Sequence, residues 1–114
     1  MNKWTIALII YAGALAGPAM AEDTYDLASG KQCFICHDAT SGGTIGPSFR
    51  SIARRYKETS NAKAILAEAI EFGSEGRWAA SKMPAAAARV PVTKEEARVL
   101  AEYVLSFEKV EPAW

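Results

Sequence analysis

The chain has 114 residues, of which 13 are basic, 13 are acidic and one is histidine. A chain of this length allows a single small domain. Its balanced charge lacks the basic excess with which proteins bind nucleic acid, so we expect no nucleic-acid partner.

The N-terminal segment, residues 1–21, carries one charge, Lys3, followed by an apolar run and small residues that end in Ala-Met-Ala. A basic start, an apolar centre and an Ala-x-Ala end are typical of a secretory signal peptide. An uncleaved membrane anchor is the alternative, but the apolar run is short for a span and Gly17-Pro18 interrupts it. We predict a signal peptide at 1–21, a mature domain at 22–114 and no stable membrane insertion after cleavage.

Helical periodicity, rather than strand alternation, marks the first half of the mature chain. Asp23 and Thr24 are candidate caps of a first helix that runs towards Cys33. Gly46-Pro47 is predicted to start a second helix, with proline in its first turn. Its apolar face comprises Phe49, Ile52, Ala53 and Tyr56, and its basic face comprises Arg50, Arg54 and Lys57.

Two further helices are predicted in the second half. Ser60 or Asn61 caps the third, and Gly73 ends it. Thr93 to Glu96 form a capping box for the last. Residues 74–92 between them form a long irregular stretch, a length that usually indicates a functional segment. The fold class is therefore all-α, with about four helices. The inward positions of the third helix are Ile65, Leu66, Ala69, Ile70 and Phe72, and the apolar positions of the last include Val99, Leu100, Tyr103, Val104 and Phe107.

The motif with the clearest chemistry is Cys33-Phe34-Ile35-Cys36-His37. Cys-x-x-Cys-His is the attachment pattern of c-type haem. The two thiols form thioethers with the haem vinyl groups, and the adjacent histidine becomes a ligand of the iron. The sequence therefore predicts one haem c, attached through Cys33 and Cys36 and bound on one side by His37.

Three other interpretations of the cysteine pair are weaker. A thioredoxin-like redox pair needs a βαβ context, and the sequence shows no strand pattern. A zinc site needs about four ligands, whereas the chain has two cysteines and one histidine. A structural disulfide fits the spacing but leaves His37 unexplained.

Met83 is the candidate for the opposite side of the iron. It is the one methionine that remains after removal of residues 1–21, and it lies between Lys82 and Pro84. A lone methionine is often core filler, but these neighbours and a position outside any helical stripe argue against that role. Because methionine and histidine are a standard axial pair, we predict Met83 as the second iron ligand.

The mature chain resembles class I cytochromes c, most closely the small bacterial cytochrome c-551 group. Four blocks match that group in order: 33–37, Gly46-Pro47, 73–78 followed by Met83-Pro84, and 95–106. The resemblance covers nearly all of residues 22–108. It implies a small cytochrome c fold in which helices wrap one covalently bound haem.

The resemblance also implies roles for two further residues. The carbonyl of Pro47 would accept the Nδ1–H of His37 and orient the ring, and the indole N–H of Trp78 would donate to a haem propionate. The chain departs from the group at Lys82, where proline is common, and at Ala69, where some members have an arginine that Arg77 would replace. The segment after Met83 is also longer and richer in alanine.

These features predict an electron-transfer protein rather than an enzyme, since no general base, nucleophile or substrate pocket is evident. The expected location is the periplasm. The expected partners are redox proteins: a dehydrogenase or bc1-type complex as donor, and an oxidase or reductase as acceptor. Two alternatives stay open, namely a dedicated haem subunit of a periplasmic dehydrogenase and a ligand-binding haem sensor.

Overall fold

The structure, a computed structural model, describes residues 21–41, 45–78 and 81–110. Residues 1–20 of the predicted signal peptide lie outside these ranges. The described chain is mostly helical, as predicted. Its α-helices are α1 (Ala21–Gly30), α2 (Cys33–Cys36), α3 (Phe49–Tyr56), α4 (Ala62–Phe72) and α5 (Lys94–Leu105), its strands are β1 (Ser74–Trp78) and β2 (Ser81–Met83), and two 3₁₀ turns span Ala86–Ala88 and Ser106–Lys109.

Two helix starts differ from the prediction. The first helix is already formed at Ala21, so Asp23 and Thr24 lie within it and do not cap it. Helix α3 begins two residues after Pro47, because the Oγ of Ser48 accepts the backbone N–H of Ser51 at 3.1 Å and forms the N-cap. Ser48 is a better N-cap than Gly46 or Pro47, since its hydroxyl supplies an acceptor for a backbone N–H of the first turn that has no partner within the helix.

Helix α4 occupies the predicted place but differs in detail. Asn61 is the residue at its N-cap, although its side chain makes no capping hydrogen bond. Gly73 ends the helix with φ 81°, a left-handed conformation that glycine adopts without steric cost. Phe72, predicted to face inward, is 70% exposed. Its position, about 240° around the helix from the buried Leu66, turns it away from the core.

The prediction of a wholly irregular segment at 74–92 was wrong. Strands β1 and β2 form an antiparallel hairpin that pairs Ser74 with Met83 and Trp78 with Ser81, with an irregularity in register between these pairs. These strands are short and mostly exposed, so they lack the alternation of apolar and polar residues by which strands are recognised.

The core lies where α3 and α4 pack on α5. Ala97 and Ala101 of α5 are fully buried, and their small side chains allow close approach of the neighbouring helices. The predicted capping box of α5 is present, with Thr93 and Glu96 each accepting the other's backbone N–H. Within the described ranges, no helix has the length and apolarity needed to span a membrane. The buried cluster comprises Phe49, Ile52, Leu66, Ala67, Ala97, Ala101 and Val104.

Candidate functional site

The cysteine pair lies on a single helical turn that a strained residue introduces. Gln32 adopts φ 61°, the one positive φ among the non-glycine residues of the described chain, and it separates α1 from α2. Cys33 and Cys36 then occupy the two ends of α2. Both are half-buried with free thiols, and both line the same cleft.

His37 is held in place from two sides. Its Nδ1 lies 2.7 Å from the carbonyl oxygen of Pro47, a contact in which the ring N–H donates. Phe49 stacks on the ring, with centroids 5.6 Å apart and planes inclined by 28°. With Nδ1 engaged in this way, Nε2 is the nitrogen left to bind a metal.

Gly46 allows the Pro47 contact because it lies directly against the histidine. A Cβ at Gly46 would lie 2.8 Å from Cε1 of His37 and 3.1 Å from the carbonyl oxygen of Cys36. The backbone N–H of Gly46 donates to that same Cys36 oxygen at 2.8 Å. The Gly-Pro pair therefore forms a backbone cradle around the imidazole that a larger residue would fill.

Met83 lies at the end of β2 and lines the same cleft. A Cβ at Gly73 would lie 2.5 Å from the carbonyl oxygen of Met83 and 2.9 Å from the backbone nitrogen of Ala85. Gly73 thus combines a left-handed backbone with a close approach to the segment that carries Met83. The end of α4 and the hairpin together place the thioether in the cleft.

The cleft consists of two connected cavities of about 130 Å³ and 60 Å³. Three charged side chains line the larger cavity, Arg77, Lys82 and Arg89, and all three are cationic. Such a lining suits a flat apolar group that carries anionic substituents. The residues common to both cavities are Cys33, His37, Ile52, Leu66, Ala69 and Met83.

Burial shifts the pKa of two side chains around the cleft in the direction that favours their neutral forms. Burial raises the pKa of the Cys33 thiol, an effect that the nearby Arg89 charge partly offsets. Burial likewise raises the pKa of the hydroxyl of Tyr103, a residue that lines the smaller cavity. Both shifts indicate a poorly solvated environment that disfavours added charge.

The described residues offer little to the alternative sites. In these ranges no three histidine, cysteine or acidic side chains come together as they would around zinc. The two strands of the described chain form an antiparallel hairpin rather than the βαβ unit of a thioredoxin-like protein. Two thiols one helical turn apart, an imidazole and a thioether around one apolar cleft fit haem c.

Comparison with known proteins decides the family. The sequence model of the family described as Cytochrome c matches residues 17–108. The chain belongs to the cytochrome c family. It is 38% identical to cytochrome c-551 of Stutzerimonas stutzeri and 36% identical to that of Pseudomonas aeruginosa, in each case over 93% of this chain and 98% of the relative.

The fold of this cytochrome c agrees with a solved relative. The crystal structure of wild-type Nitrosomonas europaea cytochrome c552 superposes with a TM-score of 0.67 at 32% identity, covering 74% of this chain and 99% of that one. Membership in the family implies covalently bound haem c. The predicted function as an electron-transfer protein, rather than an enzyme, is confirmed by the cytochrome c-551 relatives.

Trp78 and its neighbours form the cationic end of the cleft. The guanidinium of Arg55 lies 4.4 Å from the centre of the Trp78 ring, and its Nη1 donates to the carbonyl oxygen of Arg77 at 2.6 Å. Arg77 and Ala69 line the larger cavity together. Arg55 therefore fixes the indole from α3, a contact that the sequence analysis did not anticipate.

Sequence reasoning missed two other residues of the site. Phe49 was assigned to the core, and its stacking on His37 has no signal in the sequence. Arg89 was not singled out, although it is the one charged residue between Lys82 and Lys94. A lone cation in an apolar segment is a signal that would have identified it, since isolated charges are rarely placed in such segments without a partner.

Proposed function

We propose that this cytochrome c is exported after removal of residues 1–21 and carries single electrons between redox proteins of the periplasm. In this proposal one haem c is attached through Cys33 and Cys36, with His37 and Met83 as iron ligands. The observation that supports it is the convergence of both thiols, the imidazole and the thioether on one apolar cleft.

Haem supplies the one-electron exchange between ferrous and ferric iron. The carbonyl of Pro47 accepts the Nδ1–H of His37, which fixes the tautomer and leaves Nε2 as the nitrogen that would bind the iron. Met83 offers a neutral sulfur that needs no deprotonation before it binds. Two protein ligands retained in both oxidation states keep the rearrangement on electron transfer small.

The surroundings of the cleft favour the reduced state. Apolar walls disfavour the additional positive charge of ferric iron, and thioether ligation acts in the same direction. We propose that Trp78 donates its indole N–H to a propionate and that Arg77 faces the same group from β1. Both roles are consistent with the cationic lining at this end of the cleft.

Partners are proposed to dock at the edge of the cleft, around Ile35, Lys82 and residues 85–88. Ile35 is 62% exposed, and the side chain of Lys82 is 68% exposed. An interface confined to this edge would be small and transient, as the interfaces of electron-transfer complexes are. The donor would be a dehydrogenase or bc1-type complex, and the acceptor an oxidase or reductase.

The proposal is tested on the protein purified from the periplasm of an expressing bacterium. Its intact mass should equal that of residues 22–114 plus one haem, and the haem should stay with the protein during acid–acetone extraction. The pyridine haemochrome spectrum should indicate two thioether bonds. A mature protein with free thiols at Cys33 and Cys36 would contradict the whole proposal.

A further inference from the structure

The alanine-rich segment after Met83 contains one charged residue, Arg89, which is half-buried and lines the larger cavity. The segment turns through the 3₁₀ helix Ala86–Ala88, and Arg89 ends that turn. Its guanidinium makes one exposed and one partly buried hydrogen bond within the chain. A partly buried guanidinium needs hydrogen-bond acceptors, so its partners indicate what it does.

The guanidinium of Arg89 joins two parts of the chain. Its Nε donates to the carbonyl oxygen of Pro84 at 3.1 Å, and its Nη2 donates to the carbonyl oxygen of Ile70 at 3.0 Å. Pro84 directly follows Met83, whereas Ile70 lies in the last turn of α4. The rigid fork of arginine suits such a bridge, because its donors are fixed relative to each other.

The acceptor in α4 is a carbonyl near the C-terminal end of that helix. The last four carbonyls of an α-helix have no partner within the helix, and Ile70 is among those of α4. No basic residue lies in the last turn of α4 itself. Arg89, 19 residues away in sequence, thus supplies the cation that the C-terminus of a helix favours. It also connects that terminus to Pro84, the residue after Met83.

The same segment is also held from the opposite side. Gly73, which follows α4, packs its backbone against the backbone of Met83 and Ala85. Residues 83–85 are therefore confined between the close contact at Gly73 and the guanidinium bridge of Arg89. Removal of the bridge would leave the hairpin pairing and the Gly73 contact as the described restraints on Met83.

We propose that Arg89 is a positioning residue for Met83, which keeps the thioether in the cleft and resists its displacement by other ligands. This inference rests on the proposed ligation by Met83. Arg89 touches neither the thiols nor the imidazole by hydrogen bonds, so it acts through the Met83 segment.

The test is a titration of the oxidised, haem-loaded protein with imidazole, which competes with the thioether for ferric iron. Binding is followed by loss of the weak long-wavelength sulfur-to-iron band. Arg89→Met removes the bridge and the charge, whereas Arg89→Lys keeps the charge but replaces the planar fork with a single ammonium. Arg98→Met, on the exposed face of α5, is the matched control.

We expect the imidazole dissociation constant to fall about tenfold or more in Arg89→Met, because hydrogen bonds from a charged donor are strong enough for that effect. It should fall several-fold in Arg89→Lys and stay unchanged in Arg98→Met. The helical circular dichroism should match the parent, and where Arg89→Met does not accumulate, Arg89→Lys decides the outcome.

An Arg89→Lys protein that binds imidazole as the parent does would show that only the charge matters, which overturns the positioning role. Unchanged affinity in both variants overturns it as well. A parent protein that lacks the sulfur-to-iron band contradicts ligation by Met83 and the role of Arg89 together. A parent with the band and insensitive variants contradicts the role of Arg89 alone.

Discussion

The two sides of the cleft are built in different ways. On the histidine side, five consecutive residues supply both thiols and the imidazole, and Pro47 orients the ring from ten positions away. On the methionine side, Met83 depends on the end of α4, a hairpin and an arginine six residues later. The first side is specified by a local motif, whereas the second depends on packing between distant segments. Substitutions outside the Cys33–His37 motif should therefore disturb the position of Met83 more readily than that of the thiols and the imidazole.

The largest expected contrast is between variants that lose covalent attachment of the haem and a variant that loses the proposed methionine ligand of the iron. Replacement of both Cys33 and Cys36 by alanine should abolish covalent haem, because no thiol remains to form a thioether. Met83→Ala should keep covalent haem, since attachment needs only the histidine side. Its reduction potential should fall by on the order of 0.1 V, a fraction of the roughly 0.8 V range that axial ligands control.

The Met83→Ala protein is checked by absorption spectroscopy, ligand binding and potentiometry. It should lose the weak long-wavelength band and, when reduced, bind carbon monoxide readily, while the parent resists carbon monoxide. A parent that binds carbon monoxide as readily as Met83→Ala would favour a ligand-binding sensor. Retention of both the band and the parental potential in the variant would contradict ligation by Met83.

The two glycines that contact His37 and the Met83 segment provide a matched pair. Gly73→Ala places a Cβ against the Met83 carbonyl and forces a left-handed φ on alanine, so we expect a loss of about 2–4 kcal/mol in the free energy of unfolding. Gly46→Ala meets the His37 ring without requiring a positive φ, so we expect about 1–3 kcal/mol. Urea unfolding measures both.

Spectroscopy separates the effects of these two substitutions. Gly73→Ala should weaken the sulfur-to-iron band, whereas Gly46→Ala should leave the band in place. Gly30→Ala is the control, because its Cβ would meet no atom within 4 Å. If Gly46→Ala lost the band and Gly73→Ala kept it, the assignment of each glycine to its side of the cleft would be wrong.

The same division explains what the sequence could predict. The Cys33–His37 motif, the capping box at Thr93 and the end of α4 at Gly73 are local patterns, and each can be predicted from a few consecutive residues. The hairpin and the Arg89 bridge depend on contacts between different segments, and no local sequence pattern predicts them. Phe72 fits the apolar count of α4 but not its buried face, because its position about 240° around the helix from Leu66 turns it away from the core.

A smaller effect is expected at the surface, where partners are proposed to meet the methionine side. Lys82→Glu should slow electron transfer several-fold more than Arg54→Glu, since Lys82 borders the cleft and Arg54 lies on the exposed face of α3. Glu75, 3.5 Å from Lys82, would then face a second acid. Stopped-flow kinetics with a physiological partner tests this, and equal slowing by both variants would argue against docking at the cleft edge.

The smallest expected effect is on stability, at the ion pair that joins the two sides of the cleft. Lys31, two residues before Cys33, donates to the carbonyl oxygen of Pro91 at 2.9 Å and pairs with Glu96 at 3.1 Å. It thereby links the helix before the thiols to the end of the segment that carries Met83. Hydrogen bonding from the Thr93 backbone, and then from Lys31, lowers the pKa of Glu96 below its ordinary value of 4.5.

A lowered carboxyl pKa stabilises the folded state above the unfolded value and loses that contribution as the pH falls through the folded value. The parent should therefore exceed Glu96→Gln in unfolding free energy at pH 7, and the difference should shrink as the pH falls below about 4.5.

Glutamine still serves in a capping box, so the comparison isolates the charge. Added salt should reduce the difference, because the pair is near the surface. Glu95→Gln, in the same helical turn, is the matched control. A constant gap between the parent and Glu96→Gln from pH 7 to pH 3 would mean that the carboxylate charge of Glu96, held by the Thr93 backbone and Lys31, does not contribute to the difference.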